Sequence, residues 1–508
     1  MPSSALPARV TLITPPSIFL LDERVFVNLG ILKVAAALEQ RGVAVDHLDL
    51  SGTENYLEAL AAHVTQTRAA AIGITTTTPQ LPTVVKIIQA IRAVRPDARI
   101  VLGGPHITLT SSAVKLERRQ GRVSRAHAAM ARLEALADVL VSGDGEFAVL
   151  KALEPDAPKL LDGDDPAGGF FLTNATYEDT PLPARHLVDM SSYHYEIEGR
   201  RSTSLIAQLG CPFGCGFCGG RNSKSLRVIR TRSTESIVAE VRLLHEVYGY
   251  TGFMFYDDEL NVNKNMVGLM NALADLQESL GQEFRFRGFV KSELFTAEQA
   301  AAMHRAGFRW LLCGFESGSP RILENINKRA AVDDNFRAID FARRAGLKVK
   351  ALMSIGHPGE SEQTTRETQE WLLQAQPEEF DCSVITAYPG TPYYDEALAH
   401  PSQPGVWTYT FPKSGDRLHA HDIDFCVVAD YYKGDPNGGY RAFVYTDYLT
   451  PEELVAQRNW IEQSVRSALK IPYPQARPAL RYEHSFGQGA NETLPGFILR
   501  HSESDSAQ

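Results

Sequence analysis

Long hydrophobic runs are missing from this chain. Nowhere do about 18 apolar residues follow one another, the least a helix needs to cross a bilayer, and residues 1–9 hold no apolar core of a secretion signal. A cytoplasmic protein without a membrane partner is the expectation. Positive charge is also short: 51 Lys and Arg stand against 61 Asp and Glu, a formal net charge of −10. No overall cationic field therefore draws the chain to nucleic acid. Cysteine is scarce, with six in 508 residues, too few for a disulfide scaffold. No repeat of 20 to 50 residues and no interpretable low-complexity tract occurs. What remains is ordinary folded composition, 44% hydrophobic and 22% charged, and a length that implies about three domains.

The chain reads as successive segments. Short apolar runs at 9–14, 43–48, 69–74, 98–102 and 137–142 alternate with helix-like stretches at 29–41, 54–67, 80–94 and 126–136. This alternation predicts an α/β, doubly wound (Rossmann-like) domain over 1–150, with ligands beyond the carboxyl ends of its strands. Gly103-Gly104-Pro105-His106 and Gly143-Asp144-Gly145-Glu146 follow the fourth and fifth strands, where the backbone turns sharply or meets a ligand. Residues 151–200, rich in Asp, Gly and Pro, read as a linker with short strands. Over 201–400 six more strands, at 203–209, 252–256, 284–289, 309–314, 347–355 and 381–386, alternate with helices, among them one starting at Ser233 and one at the capping box Thr296-Ala-Glu-Gln299. A barrel, or a (β/α)6 part of one, is the expectation. Residues 401–508 form an α+β extension with one clear helix, 451–469, introduced by Thr450-Pro451-Glu452-Glu453. Its aromatics Trp407, Tyr409, Phe411, Tyr431 and Tyr432 either line a pocket or join the core, and the last eight residues are expected to be disordered.

Half of the cysteines lie together, in Leu209-Gly-Cys211-Pro-Phe-Gly-Cys215-Gly-Phe217-Cys218-Gly-Gly220. Three thiolates spaced C-x3-C-x2-C in a glycine-rich loop after a strand can converge on a cubane iron-sulfur cluster. With three ligands for four irons, one iron stays open to a small molecule. The alternatives are a structural zinc site, which wants a fourth Cys or His near by, and simple buried thiols. Cys313, Cys382 and Cys426 read as core or incidental.

The loop, placed after the first strand of a β/α barrel, resembles the radical S-adenosylmethionine superfamily, and the likeness continues over 203–392. The resemblance implies that Cys211, Cys215 and Cys218 hold a 4Fe-4S cluster whose open iron chelates S-adenosylmethionine, with Phe217 beside it. One-electron reduction then yields a 5'-deoxyadenosyl radical. It further implies cofactor contacts from Asp257, Asp258 and Glu259 after the second strand, Lys291 after the third, Glu316 and Ser317 after the fourth, and Gly356 in Gly356-His-Pro-Gly-Glu360 beside adenine.

The preceding domain resembles that of the cobalamin-binding subgroup, which implies a nucleotide tail near Thr75, Thr76, Gly103, Gly104, His106, Gly143, Gly145 and Glu146. One departure stands out. The loop 14–24 lacks the Asp-x-His-x-x-Gly of classical cobalamin proteins, so cobalt is expected to have no lower histidine ligand. By this resemblance the chain is an enzyme that methylates an unactivated carbon of a small secondary metabolite, as in antibiotic biosynthesis. Electrons are expected from a flavodoxin or ferredoxin-type donor. Oxidative cyclisation or rearrangement is the alternative within the subgroup, and a non-catalytic iron-sulfur redox sensor or interaction protein the alternative outside it.

Overall fold

A computed structural model describes residues 6–18, 20, 23–428 and 441–471. Tyr431, Tyr432 and the tail 501–508 lie outside the described residues.

The N-terminal domain is a six-stranded parallel sheet of β1 (Arg9–Thr14), β2 (Ala44–Asp49), β3 (Ala71–Thr75), β4 (Arg99–Gly103), β5 (Val139–Gly143) and β6 (Leu160–Gly163), in the order β2-β1-β3-β4-β5-β6. Covered by α1 (Leu29–Gln40), α2 (Tyr56–Gln66), α3 (Leu81–Val94), α4 (Pro105–Arg119), α5 (Arg125–Leu136) and α6 (Gly145–Ala152), the strands read as near-continuous apolar runs because both faces are buried. The order reverses between β1 and β3, and the crevice beyond their carboxyl ends is where such sheets take ligands. The short strand β6 lies within the Asp/Gly-rich stretch 151–200 and joins this sheet beside β5.

The second sheet holds six parallel strands, β7 (Arg200–Leu205), β8 (Gly252–Phe255), β9 (Arg285–Phe289), β10 (Phe308–Glu316), β11 (Lys348–Ile355) and β12 (Glu379–Val384), in sequence order and open at both ends, with a two-residue hairpin strand beside β7. It is a partial (β/α)6 barrel, and its helices are α7 (Thr234–Tyr248), α8 (Met266–Leu280), α9 (Ala297–Ala306), α10 (Pro320–Ile326), α11 (Val332–Arg344) and α12 (Glu362–Ala375). Ser233 caps α7 by accepting from the Ser236 N–H, and Thr296 with Gln299 closes the capping box of α9, as the sequence predicts. Stacked rings of Phe253, Phe255, Phe286 and Phe308 fill the core.

After the barrel come a four-stranded antiparallel sheet, β13 (Leu398–Ala399), β14 (Val406–Thr410), β15 (Arg417–His421) and β16 (Val444–Thr446), and the helix α13 (Pro451–Leu469). This helix packs on α12 and on the open edge of β12, where Glu462 accepts the Cys382 N–H at 2.7 Å while Arg458 and Arg466 donate to the carbonyls of Cys382 and Phe380. An exposed strand edge is thereby closed with side chains.

Candidate active site

The cysteine loop leaves the end of β7 and is braced before its first thiol. Asp257, just past β8, accepts the backbone N–H of Gln208 at 2.6 Å and of Ala207 at 3.1 Å. Burial pushes its carboxyl up to about 7, with those two N–H groups pulling the other way. Each of its oxygens accepts from the loop backbone, so Asp257 positions the segment that carries the cysteines. Gly216 must be glycine, because a Cβ there would lie 2.4 Å from the Tyr393 ring.

Cys215 and Cys218 sit in an apolar enclosure of Phe213, Phe217, Ile322 and Ile326, with Cys211 near by. Burial raises Cys211 and pushes Cys218 up to about 12, and the neighbouring Cys215 and Cys211 add to the rise at Cys218. Soft, desolvated sulfurs of this kind suit an iron-sulfur cluster.

A counter-charge is supplied by Arg221, buried beside the loop and donating to the carbonyls of Cys211 and Gly219, each at 3.4 Å. Burial works against its charge, but the three thiols outweigh burial and raise its pKa. The sequence reading missed Arg221, although a cation three residues past the last thiol is a usable signal.

Beyond the loop lies a ring of buried charge. Asp258 remains accessible while ringed by protein, which raises its carboxyl against the pull of Arg221. Burial also pushes Glu259 up to about 7, opposed by Lys328 and Lys291, and its Oε2 has no hydrogen-bond partner among the described residues. Lys291 Nζ sits 2.8 Å from Glu293, 2.8 Å from the Lys328 carbonyl and 4.4 Å from the centre of the Phe213 ring. Glu316, held at φ 66°, accepts from Lys328 at 3.0 Å and from Ser354 at 2.7 Å. The chain of contacts runs on through His357, 2.9 Å from Ser354, to the Tyr393 hydroxyl at 3.3 Å, and the His357 ring meets Phe217 edge-on. Lys328, His357 and Tyr393 were not singled out from sequence. Ser317 is placed differently from expectation: its hydroxyl pairs with Thr368 on α12 and accepts the Ser319 N–H, which ties the strand end to a helix. The Gly356 N–H is taken by Glu360, which locks the turn.

Where the two sheets face each other lies a cavity of about 700 Å³. One wall carries Thr14, Thr75, Gly103, Gly104, Gly143, Gly145 and Glu146 from the strand ends of the first domain, and the other carries Ser204, Ile206, Leu209 and Tyr256 from the barrel. Most of the lining is apolar, and it contains no histidine among the described residues. Thr76 and His106 are absent from the lining. The Thr76 hydroxyl is turned onto the Thr77 carbonyl, and His106 is buried against Thr78, 3.0 Å away, with burial alone lowering its pKa to about 4. Gly104, in the lining, is also required by the backbone. At φ 98° its Cβ would sit 2.6 Å from the Thr76 N. Trp407, Tyr409 and Phe411 do not line this cavity; Tyr409 and Phe411 are buried in packing, and Trp407 is covered by the Arg125 guanidinium. The seam beside the cavity is fastened by Arg230, whose guanidinium bonds Asp144 at 2.5 Å, the Leu172 carbonyl at 3.2 Å and the Ser225 carbonyl.

Comparison with known proteins agrees with this geometry. The Radical SAM superfamily family model matches residues 205–372, and the B12 binding domain model matches residues 23–148. An uncharacterized methyltransferase of Pyrococcus horikoshii is 25% identical over 65% of this chain and 69% of its own length. The anaerobic magnesium-protoporphyrin IX monomethyl ester cyclase of Cereibacter sphaeroides is 24% identical over 72% of this chain, which spans 59% of that relative's length. In fold, the chain resembles the radical S-adenosylmethionine methyltransferase TsrM from Kitasatospora setae, seen with tryptophan substrate and an S-adenosylmethionine analogue, at TM-score 0.66 and 18% identity over 89% of each chain. The chain thus pairs a B12 binding domain with a radical SAM domain at one cavity, the make-up of a cobalamin-dependent radical S-adenosylmethionine enzyme.

Proposed function

We propose that the protein methylates an unactivated carbon of a small molecule, its three cofactors being a 4Fe-4S cluster on Cys211, Cys215 and Cys218, S-adenosylmethionine on the neighbouring strand ends, and cobalamin in the interdomain cavity. The observation that carries this reading is the cavity itself, whose far wall is the ligand crevice of a doubly wound sheet and whose near wall flanks the cysteine loop. When bound, the reduced cluster and S-adenosylmethionine supply a carbon-centred radical and cobalamin supplies a transferable methyl group.

The chain's own residues supply placement and exclusion. Asp257 fixes the loop that carries the thiols, and Arg221 offsets their negative charge. Asp258 and Glu259 offer carboxylates to an ammonium, and the buried cations Lys291 and Lys328 stand close enough to draw Glu259 toward its charged form. The apolar lining would keep water from a radical formed there.

The test is anaerobic purification with cobalamin supplied, iron, sulfide and cobalt assays, and product mass. Expected are one cluster and one cobalamin per chain, 5'-deoxyadenosine on reduction, and a product heavier by about 14 Da. A product lighter by two hydrogens would instead make the enzyme an oxidative cyclase; the Cereibacter relative is named a cyclase. A loaded, reduced protein that releases no 5'-deoxyadenosine would move the reading to a redox sensor.

A further inference from the structure

The cluster reading requires electrons from outside, and the surface beside the cysteine loop carries cations without carboxylate partners among the described residues. In a chain of net charge −10, the turn after the loop exposes Lys224 and Val228 and half-exposes Arg227, and Arg329 stands exposed just past α10. Arg227 donates to the Pro212 carbonyl at 2.6 Å, and Pro212 itself, next to Cys211, is exposed. Arg227 also feels the fields of Arg221 and Arg329 and of Cys211 and Cys218. Lys224, Arg227 and Arg329 have no carboxylate partner among the described residues. Two cations held within reach of each other and left unpaired cost self-repulsion, which an anionic partner relieves.

Beside Arg329 the surface sinks into a hollow of about 490 Å³ walled by Pro320, Leu323, Asn327, Ala330, Val332 and Lys413. Glu324 and Asp333 border it as well and balance Lys413, 3.5 Å from Glu324, and Arg329, so the excess of positive charge comes from Lys224 and Arg227 on the turn after the cysteine loop. The floor of this hollow connects directly to the ligand loop. Asn327 Nδ2 donates to the Gly214 carbonyl at 3.1 Å, and the Gly216 N–H donates to the Ile326 carbonyl at 2.7 Å. Both acceptor and donor on the loop side lie between or beside the cysteines.

We infer that Lys224 and Arg227 on the turn after the cysteine loop, together with Arg329 and the hollow beside it, form the docking surface for a small acidic one-electron carrier protein. The inference rests on the proposed reading that Cys211, Cys215 and Cys218 hold a redox cluster. The carrier gives up one electron and the cluster gains it, with no bond formed or broken. The charge pattern steers the encounter, and the Asn327 side chain and the Ile326 carbonyl tie this surface by hydrogen bonds to the ligand loop.

The experiment uses the anaerobically loaded protein and its R329E/K224E variant, which leaves untouched the hydrogen bonds that Arg227 makes to the loop. Stopped-flow spectroscopy follows cluster bleaching by reduced flavodoxin and, separately, by dithionite. For the natural chain, the flavodoxin rate should fall as ionic strength rises. The variant should be slower with flavodoxin at low salt by about tenfold, and it should match the natural chain with dithionite. Fluorescence anisotropy should show weaker binding of labelled oxidised flavodoxin to the variant. Equal flavodoxin rates, or equal slowing with both reductants, would overturn the docking surface. A natural chain that binds no iron would overturn the cluster reading itself, a failure visible before any carrier is added.

Discussion

Lys328 and Glu316 show what a single buried contact does at this site. Both side chains lie out of solvent, and the ammonium keeps its charge because Glu316 and Cys215 outweigh the burial that opposes it. Removing one partner leaves the other's charge stranded, so K328M should destabilise the protein by about 3 kcal/mol, the range for a broken buried pair, read as a lower urea midpoint at unchanged m-value. His106 gives a pH signature of the opposite kind. Its folded pKa of about 4 lies below the usual histidine value, so the folded state binds fewer protons than the unfolded chain between those two pKa values. Stability contributed at His106 is therefore complete above pH 6.5 and is lost as pH falls toward 4, at up to about 1.4 kcal/mol per pH unit. H106N should flatten that part of the stability curve relative to the natural chain, measured by denaturant melts from pH 7 to pH 4.5.

At the scale of elements, α13 tests how much an edge cap is worth. Glu462 accepts the Cys382 N–H and pairs with Arg466 at 2.6 Å. E462A would leave a buried N–H unmade and a buried guanidinium short of one partner, a loss of about 3 kcal/mol visible as a lower melting temperature. Helix α13 itself was legible, because Thr450, Pro451 and Glu453 are start signals that act locally. The barrel strands were legible for a related reason, since apolar runs between capped helices leave little other choice. Strand β6 was not read as part of the first sheet. Its sequence, Leu160-Leu-Asp-Gly163, is too short and polar to stand out, and it is held by pairing with β5. The same logic separates the site residues. Cysteine spacing is a local property and was readable. Asp257 has both oxygens spent on backbone some 50 residues away, and Ser317 is turned onto α12, facts that only tertiary contact decides. His106 looked exposed to a ligand in a glycine turn, yet the first turn of α4 carries it into the interior.

For the whole molecule the question is whether the two cofactor sites fail together or apart. The cavity draws its walls from both domains, but the cysteines hang from the barrel while the glycine floor belongs to the first sheet. Gly103 has an ordinary backbone conformation, and a Cβ there would lie 3.7 Å from Val141, in normal contact. A larger side chain at this position is therefore tolerated by the fold and fills the cavity. G103F should lose bound cobalt while keeping the iron of a full cluster, and C215A should do the reverse. Metal analysis of both variants against the natural chain decides the matter. Loss of iron in G103F would mean that the cysteine loop depends on an occupied cavity, with the Arg230 seam between Asp144 and Ser225 the contact able to transmit that dependence. Retention of cobalt in G103F would mean that the cavity between the sheets is not where cobalamin binds.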